Sequence, residues 1–160
     1  MRLGQAVVAF ALCAGCGLEA KTIAEPRAPL AKEFGAVAVP PFVIEPRDAI
    51  DAGDRPAAAA LAASLQRDVG ERVAALRFEG RGVLTVQCVL TAFEPPKGAF
   101  AAFRRHGDGY VEVTIVLLAG AREVGRGVVS SKLRGGSYDL GMKPADDLAP
   151  AIADFVAKYL

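Results

Sequence analysis

Two of the chain's three cysteines, Cys13 and Cys16, stand three residues apart in "ALCAGCGLEAK". A Cys-x-x-Cys spacing brings two thiols within reach of one disulfide or one metal ion, and a single thiolate is also the nucleophile for S-alkylation. A redox pair of this kind belongs at a strand-to-helix junction of a folded domain. The other reactive side chains are scattered. His106 is the only histidine, and Asp108 and Glu94 are the only plausible metal partners near it, so no metal site is expected. Ser130 and Ser131 have no adjacent base, and a hydrolase would have to bring His106 to them across the fold. Asp146 and Asp147 suit the cap and first turn of a helix better than a paired acid and base. "RGGSYDLGMK", residues 134–143, lacks the Lys-Ser/Thr ending of a phosphate-binding loop. No catalytic residues are assigned, and no cofactor is implied.

The cysteine pair makes most sense in its surroundings. Met1 and Arg2 give a short positive start, Val7 to Leu12 a compact apolar stretch, and Ala14 and Gly15 small residues directly before Cys16. That is the layout of a secretory signal. The apolar run from Leu3 to Leu18 is shorter than the ~20 residues of a spanning helix. "CAGC" resembles a bacterial lipobox, with Cys13 where leucine is commoner. Cys16 is therefore the expected lipidation site, acylated and left as the new N-terminus after cleavage of residues 1–15. A plain secretory signal with incidental cysteines, an uncleaved anchor, or a redox or metal pair are the alternatives. Gly17, rather than Asp, follows Cys16, which favours the periplasmic face of an outer membrane. Two or three acyl chains would hold the protein far more firmly than one. Cys88 is then the only thiol of the mature chain, so no internal disulfide is expected.

Composition bounds the partners. The 160 residues suit one domain, and 19 basic against 18 acidic side chains leave a net charge of +1. Such a balance argues against nucleic-acid binding, which needs a basic surplus on one face. The remaining candidate contact is the segment "EPPKGAFAAFRRHGDG", too long for an ordinary hairpin. Lys97, Arg104, Arg105 and His106 surround Phe100 and Phe103 there, a mixture fitted to an anionic head group, an acidic glycan or an acidic protein surface. The alternative is a solvated loop whose phenylalanines tuck onto the fold.

The elements that would position these residues follow from periodicity. Residues 16–34 carry prolines, alanines and mixed charge, and are expected to be a lipidated cysteine and flexible tether, with a single α+β domain over 35–160. "AVAVPPFVI", 36–44, reads as a strand at a sheet edge, because its prolines lack ladder donors. Asp54 and Pro56 mark a helix start, and Leu61, Leu65, Val69, Val73 and Leu76 form one apolar stripe. "VLTVQCVLTAF", 83–93, alternates, with Leu84, Val86, Cys88, Leu90 and Ala92 on one face and Thr85, Gln87 and Thr91 on the other. Residues 109–120 repeat the rhythm, with Val111, Val113, Ile115 and Leu117 inward and Glu112 and Thr114 outward. A third run, 122–133, follows a turn at Gly120, and its glycines at 125 and 127 leave its register open. A closing helix from about Asp147, with Pro150 in its first turn, carries Leu148, Ile152, Phe155, Val156 and Tyr159. The expected fold is α+β, a single four-stranded mixed sheet in the order β-α-β-β-β-α with two helices packed on one face. The first two strands are parallel through the helical crossover and the last three form an antiparallel meander.

The lipobox, "VAVPPF", the long helix, "LTVQCVLTAFEPPKG", "FRRHGDGYVEVTIVLL" and the closing "DDLAPAIADFVAKYL" together resemble a family of bacterial lipoproteins carrying a domain of unknown function. The stretch from Phe93 to Gly98 and the lead from Arg105 to Gly109 bear most of the likeness, which covers about residues 36–160. The order of elements is also broadly similar to envelope auxiliary and assembly lipoproteins. The resemblance implies a lipoprotein and the βαβββα order, and brings no catalytic residues with it. The expected function is a non-catalytic binding or accessory subunit of a cell-envelope complex, with an envelope protein as partner and the N-terminal lipid as membrane contact. A periplasmic carrier of a small lipid or glycan is the alternative, and a hydrolase using His106 a more distant one.

Overall fold

In the computed structural model, residues 18–24, 33–45, 50–95, 109–133 and 143–158 are described. They form strands β1 (Leu18–Ala24), β2 (Phe34–Ala38), β3 (Val43–Ile44), β4 (Gly82–Glu94), β5 (Gly109–Ala119) and β6 (Arg122–Leu133). The helices are α1 (Arg55–Ala74) and α2 (Lys143–Ala157). All strands join one mixed sheet in the order β1-β6-β5-β4-β2, with β3 also on β4. The fold is α+β, one sheet with two helices, as the periodicity predicts.

Helix α1 starts where Asp54 and Pro56 place it, although the Asp54 side chain makes no capping hydrogen bond. Its backbone carbonyl instead accepts from Ala58 N at 2.9 Å. Ala58, Leu61, Ala62, Leu65, Val69 and Val73 form the buried stripe, while Leu76 lies just past the helix and packs against the core from there. On the sheet side Leu84, Val86, Cys88 and Leu90 of β4 meet Val111, Val113, Ile115 and Leu117 of β5, all fully buried. Each such valine, leucine or isoleucine contributes roughly 1.5–3 kcal/mol relative to exposure.

The expected first strand is split. Pro40 and Pro41 cannot donate to a ladder, so pairing stops at Ala38 and resumes at Val43. Both pieces run parallel to β4, and β4, β5 and β6 form the antiparallel meander. The seam between β2 and β4 is tight. Gly80 N donates to Phe34 O and Gly82 N to Glu33 O, each at 2.8 Å. A Cβ at Gly80 would collide with the backbone of Glu33 and Phe34.

Two expectations need correction. Part of the stretch 16–34, expected as a flexible tether, is a strand: β1 pairs antiparallel with β6 from Leu18 opposite Ser131 to Ala24 opposite Arg126. Backbone pairing requires no apolar period in the added strand, which is why the sequence pattern concealed it. Helix α2 begins at Lys143, before the expected Asp147, and takes Pro150 into its interior. An internal proline costs about 3 kcal/mol. The burial of Leu148, Ile152, Phe155 and Val156 on the same helix outweighs that cost.

Candidate interaction surface

One face of the sheet is covered by the helices, and the other is the place where a broad surface is available. Alternation along β4 and β5 sends Val83, Thr85, Gln87, Val89 and Thr91, then Tyr110, Glu112, Thr114 and Val116, to this outer face. The ladders align them across strands. Val43 stands opposite Val89, Val89 opposite Thr114, and Thr114 opposite Val128, an unbroken β-branched row over four strands. Val43 and Val83, 46% and 53% exposed, are the exposed large hydrophobics among the described residues, and both lie on this face.

Beside that row lies a polar cluster. Thr91 Oγ1 donates to Glu112 Oε1 at 2.9 Å, and the Tyr110 hydroxyl donates to Glu112 Oε2 at 2.8 Å. The carboxylate is thus held in one orientation by two neutral donors, and among the described residues it forms no salt bridge. At the other end of the face, Arg126 donates to Glu123 Oε1 and Oε2 at 2.9 and 2.8 Å. That bidentate contact holds the Glu123 carboxyl below its usual range and raises the Arg126 guanidinium.

The chemistry available to the described side chains is limited. Cys88 is fully buried, and burial pushes its thiol up to about 12, so it carries almost no thiolate at neutral pH. No group of three or more His, Cys, Asp or Glu residues capable of holding a metal occurs among the described residues. Ser131 is buried beneath the helices' side of the sheet, while Ser130 faces outward.

Cys16, Lys97, Phe100, Phe103, Arg104, Arg105 and His106, the residues singled out from sequence, lie outside the described residues. The strands flanking the 96–108 segment are described: Glu94 stands opposite Tyr110, so the segment leaves and rejoins the sheet beside the Tyr110–Glu112–Thr91 cluster. Sequence reasoning named Thr85, Gln87, Thr91, Glu112 and Thr114 as outward and passed over Val89, Val116 and Val128. The signal was present in "TIVLL", 114–118, an uninterrupted apolar run of the kind found in strands with both faces covered.

The architecture defined here is a single open α+β sheet with one covered face. No protein-family model and no curated protein matches the chain. Among solved structures it is similar to the PelC dodecamer from Paraburkholderia phytofirmans, with TM-score 0.51 and 11% identity over 89% of this chain and 96% of that one. A single-substitution variant of that dodecamer in another crystal form aligns with TM-score 0.52 and 10% identity, covering 91% and 98%. At such identity the likeness is one of fold.

Proposed function

We propose that this protein is a non-catalytic, lipid-anchored accessory subunit of the bacterial cell envelope that works as a self-assembled oligomer. The observation that carries this reading is the one-sided packing of the sheet: helices cover one face, and the other presents the row Val43, Val89, Thr114 and Val128. A sheet face with that composition is suited to contact with another protein surface. The similarity of fold to a protein that forms dodecamers supports self-assembly. The lipobox at Cys16 supports anchoring, on the periplasmic face of the outer membrane. Strand β1 begins at Leu18, so an anchor at Cys16 would tie the sheet closely to the lipid.

A carrier would need space between sheet and helices, and the side chains there pack into one cluster that includes Leu61, Leu65, Leu84, Ile115, Leu148 and Ile152. That filling favours an adaptor over a carrier. The test is a photo-crosslinking amino acid at Thr114, with Asp154 on the exposed side of α2 as control, in the native host. The proposal expects a discrete envelope adduct from Thr114 that is lost with Cys16→Ser, and none from Asp154. The absence of an adduct from any outer-face position would contradict it.

A further inference from the structure

The self-assembly reading leaves open which surface the copies share, and the structure points to one: we propose that the outer sheet face is covered by helix α1 of a second copy of this chain. The inference rests on that reading of the protein as an oligomer.

Three observations lead there. The two exposed large hydrophobics of the described residues, Val43 and Val83, are both on the outer face, so this is where apolar surface remains to be covered. A helix laid on that face would cover it as the two helices of the same chain cover the inner face. Helix α1 has the matching surface. Its core stripe occupies one side, and the opposite side, at helical spacing, carries Ala60, Ala63 and Arg67, all exposed. Short side chains there let a helix approach a β-branched surface closely.

Charge fixes the direction in which the helix would lie. Glu112 is held on the outer face by Thr91 and Tyr110, and Arg67 is largely exposed, its guanidinium pairing with the neighbouring Asp68 at 3.1 Å and donating to Ser64 Oγ at 3.4 Å. Along α1, Ala63 and Arg67 are separated by roughly 6 Å at ~1.5 Å per residue. Along β5, the half-buried Thr114 and Glu112 are separated by roughly 7 Å at ~3.4 Å per residue. With Ala63 over Thr114, Arg67 meets Glu112. The contact joins two different patches and so is head-to-tail, the type that closes into a ring when its rotation permits.

The experiment uses the full mature chain in detergent, with assembly followed by mass photometry and folding by circular dichroism. Glu112→Arg and Arg67→Glu should each raise the concentration for half-assembly at least tenfold, with the circular dichroism spectrum of the folded chain unchanged, and the double variant should restore it. Unimpaired assembly in both single variants overturns this interface and leaves self-assembly standing. A wild-type chain that is monomeric at every concentration removes the oligomer reading itself, and the interface with it. A change in the melting of the monomer without a change in assembly would mean that another part of the same chain covers the face, and would likewise overturn the proposal.

Discussion

The ring of Phe155 on α2 lies directly over Gly127 of β6, so that a Cβ at Gly127 would stand 2.5 Å from Cε2 and 2.7 Å from Cζ. Real Cβ atoms do not come that close, so the glycine is the hollow into which the helix inserts its largest side chain. The pair locks α2 to the sheet: the helix stripe turns Phe155 inward, and Gly127 is the point on β6 that receives it.

Gly127→Ala is therefore expected to destabilise the protein by about 1–3 kcal/mol through overpacking, measured by urea denaturation. Phe155→Ala removes the ring and leaves a cavity, with an expected loss of about 3–5 kcal/mol. The double variant should lose less than the sum of the two, because the added methyl then points into vacated space. Strict additivity would contradict the contact.

Cys88 sets a pH dependence. Its thiol is raised from 9.0 to about 12 by burial, so the folded chain keeps its proton after the unfolded chain has lost it. With fewer protons bound in the unfolded state, stability falls as pH rises. The contribution is complete below about pH 9 and declines toward pH 12 by about 1.4 kcal/mol per pH unit. The difference in unfolding free energy between wild type and Cys88→Ala, followed from pH 8 to 11, isolates it from other titrating groups. Parallel curves would show that the thiol is not buried as described. Native Cys88 should also resist thiol reagents at pH 8 and react once the chain is unfolded.

Pro150 sits inside α2, where it removes one backbone donor from the ladder. Pro150→Ala restores the donor to the carbonyl of Asp146, and is expected to raise stability by about 1 kcal/mol or more. A thermal melt of the two proteins checks this, and a lower midpoint for the alanine variant would contradict an interior position for the proline.

Arg126 and Glu123 form an exposed pair whose hydrogen bonds depress the Glu123 carboxyl. What stability the pair supplies is present above the ordinary carboxyl range and is lost as pH falls through the depressed value. Arg126→Gln should return the Glu123 titration, followed by NMR, to its ordinary position. An unchanged titration would remove the pair as its cause.

These features differ in how far they can be read from the chain. Leu61, Leu65, Val69 and Val73 at helical spacing, and Leu84, Val86, Cys88 and Leu90 at strand spacing, predict both elements and the faces they bury, because burial leaves a period. Asp54 and Pro56 mark the start of α1 by local chemistry. Strand β1 leaves no such trace, since Leu18–Ala24 joins β6 through backbone groups that every residue carries. The insertion of Phe155 at Gly127 is also illegible, as it depends on the register of β6, where the glycines at 125 and 127 blur the alternation. The outer sheet face is half legible. Thr85, Thr91 and Glu112 identify the outer face, whereas the alignment of Val43, Val89 and Val128 appears only once four strands are set side by side.

The central claim is tested most directly by native mass spectrometry of the protein extracted in mild detergent from membranes of its own host. The account predicts a discrete multiple of one subunit mass, each subunit cut before Cys16 and carrying acyl chains. A monomer with an unmodified N-terminus would contradict both the anchor and the assembly.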